Sequence, residues 1–549
     1  MSRHEAFRRS AMPPQVAQKL EFTTLPAPTR GIVLDENETY MKPGATVVMD
    51  NWKPTLKGVS LRGGCEEWLQ LPETTPVISA FNYASSSINH QMFACNATKV
   101  YNVTTVPAVQ VASGHTSGNY AAAQMANASD DWLIAVNDAG NPPLRYNGTA
   151  WEVMDAAYVP AGGLPSKITG PAGSAVENGQ NLVYICKYRG RFFFIELNSM
   201  NAWYLPLNAV GGALLQIPLS GAFTKGGKLL FCTAWSIDAG DGIDDKLIFM
   251  SDLGEIVVFT GGDPSSAANW KQEGRFDMSP PLGMNAHLMV GGEVLVATVD
   301  GILPVSGAIR KTRAELELSA VTHTIRPMWR EEVVDKREHN WSMCKWDEYG
   351  AIFCTLPGGA PGKYRCLAVN AATSAWTRFT GWDVMCWLRL NENMFFGTQD
   401  GRIMQADRTG YDDGKPYVAT LVGGWDMFAS PSQTITWRQA RASFSARAGE
   451  PFQPQLAGTT DYVVTLPSPP AAGPDPGIED LWDEGLWDDA LWDEGVPHPQ
   501  VVRNTGWVSI GLTGYSHAPI VQVTVAQQAK PVVDLISIAC TFERDGVNV

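Results

Sequence analysis

Lysine and arginine are missing from one long stretch of this 549-residue chain. Between Arg447 and Arg503 there is neither, while the same interval holds eleven acids: Glu450, Asp461, Asp475, Glu479, Asp480, Asp483, Glu484, Asp488, Asp489, Asp493 and Glu494. They carry most of the formal net charge of −15. The chain therefore lacks the basic stripe that a high-affinity nucleic-acid binder shows along its body. Such a balance suits a surface that nucleic acid passes without sticking, because acids repel phosphates. No apolar run approaches the ~18–20 residues of a membrane span, so none is expected. The first residues, MSRHEAFRRSAMPPQ, have no apolar stretch after their basic ones and do not read as a secretory signal.

Catalytic signatures are missing too. The chain has no P-loop, GxGxxG, GxSxG, HExxH or CxxC pattern. Its eight histidines are scattered, with no two at metal-ligand spacing. The nine cysteines are odd in number, and Cys186, Cys232 and Cys354 sit inside apolar runs, as small buried thiols do. The expectation is a protein that is not an enzyme and takes no cofactor. One cluster stands apart, Asp238, Asp241, Asp244 and Asp245, four carboxylates within eight residues. Oxygen ligands on a turning loop suit Ca²⁺, but the spacing is not that of an EF-hand. A plain turn between strands is the competing reading. Ser236 before it gives a faint likeness to the Asp-box turn of sialidase propellers, without that turn's closing Trp.

What is present is a repeat of short strands and turns. The 45% hydrophobic and 18% charged composition is globular, and 52 Gly with 36 Pro imply many turns. Runs of four to six apolar, β-branched or aromatic residues meet Gly, Asn or Asp turns and then a second run. Such units begin near residues 77, 132, 182, 228, 287, 342 and 384. Their mean spacing of about fifty lies in the range of four-stranded propeller blades. Apolar periodicity of 3.6 over ten or more residues is missing throughout this region. The fold class expected is all-β: a β-propeller of six or seven blades over about 70–415. Two or three ordinary β-sandwiches would use similar hairpins and remain the alternative. Beyond Gly414 longer strands with polar faces follow (417–422, 433–440, 442–447). The proline-rich LPSPPAAGPDPG then ends any sheet, and strands resume at Val501. This reads as a second β-sandwich-like domain, 416–549, with an insertion at 467–500.

That insertion contains LWDEG LWDDA LWDEG. Trp482, Trp487 and Trp492 recur every five residues, a period matching neither helix nor strand. Three large rings beside Asp483, Asp488, Asp493 and their acidic neighbours need covering. The cover is either another subunit or protein, with the Trp as anchors and the acids as rim, or the chain's own domain as a clasp. At the other end Arg3, Arg8 and Arg9 form a basic arm within residues 1–30.

Extended strings also carry a resemblance. RGRFFFIELNSMNAWYLPLNAVGG (189–212), AWSIDAGDGIDDKLIFMSDLGEIVVFTGGDP (234–264) and DGILPVS (300–306) resemble β-propeller proteins of short-tailed bacteriophages, the tail hub or nozzle (packaged-DNA stabilisation) family. RGIVLDENETYMKPGATVVMDNWKPTLKGVSLRGG (30–64) looks like their N-terminal segment, and TGWVSIGLTGYSHAPI (505–520) with the final FERDG (542–546) is similar to their close. The likeness covers most of the chain from about residue 30. It implies a structural virion protein, made in the host bacterial cytoplasm: a homo-hexameric ring beneath the portal and its adaptor protein. Such a ring would extend and close the DNA channel, pass double-stranded DNA without reading it, and hold tail fibres or tailspikes. It also implies that segment 31–69 packs on the C-terminal β domain. Arg3, Arg8 and Arg9 would then dock on the adaptor or meet DNA, against the plain fate of a frayed arm. The alternative function is a glycan-binding or glycan-cleaving propeller using the Asp238–Asp245 loop and surface aromatics.

Overall fold

The computed structural model describes residues 20–85, 90–155, 167–238, 243–334, 336, 340–357, 365–428, 433–474 and 500–544. The chain is all-β, with a six-blade β-propeller arrangement. The first blade is built from Ser79–Ala84, His90–Cys95, Lys99–Asn102 and Val109–Ser113, each antiparallel to the next. The second runs from Tyr120–Ala126 to Trp151–Val153, the third from Leu182–Tyr188 to Leu215–Pro218, and the fourth from Leu229–Asp238 to Trp270–Asp277. The fifth has three strands, His287–Val290, Glu293–Thr298 and Gly301–Pro304. Three short helices follow it, Val305–Arg310, Arg313–Leu318 and Arg326–Val334. The sixth is Cys386–Leu390, Asn393–Gly397 and Arg402–Ala406, completed by a strand from the other end of the chain, Cys65–Gln70.

Between the fifth and sixth blades lies one more four-stranded meander, Met343–Trp346, Ala351–Leu356, Arg365–Asn370 and Trp376–Phe379. It has the blade pattern but is not a separate sheet. Its last strand meets Thr46–Asp50 at the parallel pair Asp50 and Arg378, and the sheet continues through Tyr417–Gly423, His517–Val525 and Pro454–Thr460. Arg378 grips the Asp50 carboxylate at that seam with Nε at 2.7 Å and an Nη at 2.8 Å. The meander's rings pack on the next blade, with Phe353 and Trp387 centroids 5.1 Å apart.

The alternating pattern drives these sheets together, inward residues apolar and outward ones polar. In Arg191–Glu196 the FFF run is buried throughout, as a strand covered on both faces should be. Side chains also join separate blades. Asn285, leading into the fifth blade, donates to Asn119, leading into the second, at 2.8 Å. Asn340 donates to the Ile78 carbonyl at 3.0 Å. His287 lies flat on Phe231 with centroids 4.1 Å apart, and its Nε2 is 3.1 Å from the Tyr184 hydroxyl.

A seven-stranded sheet joins both ends of the chain. Its order is Trp52–Pro54, Val59–Leu61, Val533–Arg544, Ile435–Arg447 and Gln500–Asn504. Glu21–Pro26 adds beside Val533–Arg544, and Val508–Gly514 beside Ile435–Arg447. One cluster of buried apolar residues takes Met49, Leu421 and Val521 from the eight-stranded sheet and Trp437, Leu535 and Phe542 from the seven-stranded one. Two features add to the sequence reading. The basic segment 1–30 ends in a strand, Glu21–Pro26, and the helices of 305–334 were not expected.

Candidate functional site

The chain ends, the meander and the last blade converge at one buried node. Arg62, fully buried, has every N–H of its guanidinium engaged. Its two Nη atoms meet Asp412 at 2.8 and 2.6 Å, Nε donates to Asn51 at 2.8 Å, and the carbonyls of Gly63 and Thr380 take the rest at 2.8 and 2.7 Å. The ring of Tyr417 lies 4.2 Å from the guanidinium carbon. Trp382 donates to the same carboxylate at 3.2 Å. Burial works against the charge on Arg62, and the Asp412 carboxylate outweighs it, so the guanidinium is held above its ordinary range. Asn51 adopts φ +63°, which turns its side chain to bind both Thr380 and the Val418 carbonyl.

Beside this node opens a cleft of about 270 Å³. One wall is the seven-stranded sheet, contributing Lys53, Ser60, Val533 and Asp534; Tyr349 of the meander and Asp407 after the last blade form the other. Lys53 sits opposite Ser60, and Ser60 opposite Asp534, so the three form a cross-strand row on one face. The Lys53 ammonium rests 3.6 Å from the centroid of the Tyr349 ring, a cation–π contact. Lys530 lies 5.9 Å from the same centroid and is paired with Asp407. The Tyr349 hydroxyl is buried with no hydrogen-bond partner. Desolvation lowers the pKa of Lys53, opposed by Asp407 and reinforced by the nearby Lys530, with Asp534 also opposing.

The residues singled out in the sequence lie elsewhere. Arg3, Arg8 and Arg9 fall outside the described residues, as do Trp482, Trp487, Trp492, Asp483, Asp488, Asp493 and Asp241. Asp238 and Asp244 belong to the long hairpin of the fourth blade, Leu229–Asp238 and Ile243–Ser251, where Asp238 pairs with Ile243 and Asp244 with Ile237. Asp245 stands opposite Ser236 and accepts its hydroxyl, while its carbonyl takes the Tyr188 hydroxyl at 2.6 Å. Among the described residues no three His, Cys, Asp or Glu come together as a metal site.

The cleft was beyond sequence reasoning. Lys53, Tyr349, Asp407, Lys530 and Asp534 are spread over most of the chain and share no spacing. No short pattern announces them; only strand pairing between the two chain ends brings them together.

No family model matches the chain, and no curated protein matches it. Among solved structures, the computationally designed Ika8 protein is 11% identical with a TM-score of 0.33, covering 62% of this chain and 99% of its own. YCF48 from Cyanidioschyzon merolae is 8% identical with a TM-score of 0.28, covering 62% of this chain and 98% of its own. YCF48 bound to D1 peptide is 10% identical with a TM-score of 0.26, over 69% and 97%.

Proposed function

We propose that this chain is a structural protein of a short-tailed phage virion, a nozzle subunit that rings the DNA path below the portal and its adaptor. The observation that carries the reading is the set of extended strings resembling that family, together with their place in the fold. The outer strings, 30–64 and 505–520, lie more than four hundred residues apart in sequence. They supply strands to the same two sheets: Thr46–Asp50 and His517–Val525 flank Tyr417–Gly423, while Val59–Leu61 and Val508–Gly514 both belong to the seven-stranded sheet. On this reading the two large sheets form one β-sandwich-like domain, supported by the apolar cluster they share. It comprises 31–69 and 416–549, with 70–415 as the propeller and 467–500 as the acidic insertion. Cys65–Gln70 crosses that boundary to complete a blade.

Ring closure follows from repeated head-to-tail contact around a closed symmetry axis. The acidic Trp segment is the element for a fibre or tailspike, and the arm with Arg3, Arg8 and Arg9 the element for the adaptor. The glycan reading depends on the Asp238–Asp245 loop, where Asp245 accepts the Ser236 hydroxyl.

Mass photometry tests the proposal, on the purified protein alone and mixed with particles that have portal and adaptor but lack this subunit. A closed ring, or saturable addition at the tail vertex of the roughly six copies that the family resemblance implies, with closed symmetry, supports it. A lone monomer that ignores such particles sinks it, and glycan arrays become the next experiment.

A further inference from the structure

The cleft beside the Arg62 node contains one ammonium and one carboxylate that make no ion-pair contact. Lys53 and Asp534 both line it, and among the described residues neither has an ion-pair partner within 4.0 Å. Lys530 and Asp407, the other charged residues of the lining, already hold each other. Thus the cleft is formally neutral, with one lysine–aspartate pair made and the other lysine and aspartate not in contact. The two lone charges stand two strands apart on one face, with Ser60 between them, so their chain positions are about 10 Å apart. Tyr349 lines the facing wall, its ring already against Lys53 and its hydroxyl buried without a partner.

Charge arithmetic selects the ligand. A simple anion entering the cleft would pair with Lys53 and leave Asp534 facing an added negative charge. A simple cation would do the reverse. A molecule carrying both charges, spaced by a short chain, pairs each with its opposite and adds no net charge to a partly buried site. The cavity falls just below the ~300–1,000 Å³ usual for ligand pockets, which limits the occupant to about the size of an amino acid.

We propose that this cleft binds a small zwitterion of amino-acid size, its carboxylate on the Lys53 ammonium and its cationic group toward Asp534, with Tyr349 and Ser60 as the polar and aromatic lining between. The site joins the N-terminal strands, the meander and the C-terminal strands, so occupancy ties three separate parts of the chain together. The proposal does not rest on the tail reading, since it concerns a cleft within one subunit.

Isothermal titration calorimetry of the full-length protein at low salt provides the test. The probes are 4-aminobutyrate and 6-aminohexanoate, zwitterions of different charge separation, with butyrate and butylamine as single-charge controls. The expected result is saturable binding of at least one zwitterion, about ten-fold or more tighter than either control, as one charge-assisted contact supplies. Lys53→Met and Asp534→Asn should each weaken it by about ten-fold or more, with circular dichroism and molecular mass unchanged. If Lys53→Met does not fold, the nearly isosteric Asp534→Asn decides alone. The proposal is overturned if no probe gives saturable heat, if butyrate binds as tightly as the zwitterions, or if binding survives the substitutions. A failure of ring assembly leaves this measurement untouched, so the two proposals fail separately.

Discussion

Arg62 and Asp412, 350 residues apart in sequence, meet in a buried two-point contact. The first comes from the N-terminal segment and the second from the loop after the last blade. A buried pair of this kind is costly to break from one side, because the remaining charge keeps its desolvation penalty without its partner. Arg62→Met should therefore cost about 3–5 kcal/mol of stability. The double substitution Arg62→Met with Asp412→Leu should recover a large part of that loss. Urea denaturation of the three proteins checks both statements, and a single variant as stable as its parent would remove the node from the account.

His287 sets an acid limit. Burial between Phe231 and Tyr184 lowers its pKa from 6.5 to about 4. In the window between those values the unfolded chain binds a proton that the folded chain refuses, so stability rises with pH there and is lost as pH falls through it. The loss is on the order of 3 kcal/mol for this one group. His287→Gln should flatten the stability profile between pH 6.5 and 4, the two values that bound the shift. Thermal melts across that range measure it. An unchanged slope would mean that the other buried histidines, His115 and His517, also shifted down by burial, dominate instead.

Gly64 leads into the strand that completes the last blade. A Cβ there would lie 1.9 Å from the Tyr411 carbonyl oxygen, a backbone atom fixed by its own hydrogen bond from Cys65 at 3.0 Å. Gly64→Ala should destabilise by about 2–4 kcal/mol through forced displacement of that strand. Gly221→Ala, where nothing lies within 4 Å, should stay within about 0.5 kcal/mol. Denaturation midpoints of the pair compare a tight approach with an open one.

The thiols should be chemically quiet. All nine cysteines are free and eight are buried, Cys344 being the intermediate one. Burial raises Cys232 well above the ordinary thiol range, and Cys354, Cys386 and Cys540 to about 12. The thiolate is the reacting species, so iodoacetamide at neutral pH should modify at most Cys344 in the native protein and all nine in guanidinium. Intact-mass spectrometry counts the adducts. Rapid native labelling of Cys186 or Cys232, whose sulfurs lie 3.1 Å apart, would contradict the packing between the third and fourth blades.

The blade repeat was legible because its turns are written locally. Arg189–Gly190 between two apolar runs, Asp300–Gly301 and Asp400–Gly401 each sit where the chain reverses. The opening strand of the second blade was not legible: Tyr120–Ala126 reads YAAAQMA, and alanine gives little strand signal. The helices of 305–334 escaped because six, six and nine residues are too short to show a helical period. Their one local mark was the Thr312 and Glu315 capping box. The node and cleft depend on pairing between distant ends, which no window along the chain contains. The acidic Trp repeat, the most conspicuous motif of the sequence, lies outside the described residues.

Cys65–Gln70 emerges early during synthesis, and its partner Arg402–Ala406 follows more than three hundred residues later. At about 5–20 residues per second the ribosome needs roughly 15–70 s to cover that distance. Throughout that time the early strand has backbone donors and acceptors without their final partner, a template for wrong pairing. The last blade therefore matures only once Arg402–Ala406 has left the ribosome, and Glu21–Pro26 waits longer still for Val533–Arg544. A nascent chain arrested just short of residue 402 should be degraded faster by protease than one arrested beyond residue 544. Ribosome pausing or chaperone supply would then govern the yield of this protein more strongly than the stability of any single blade.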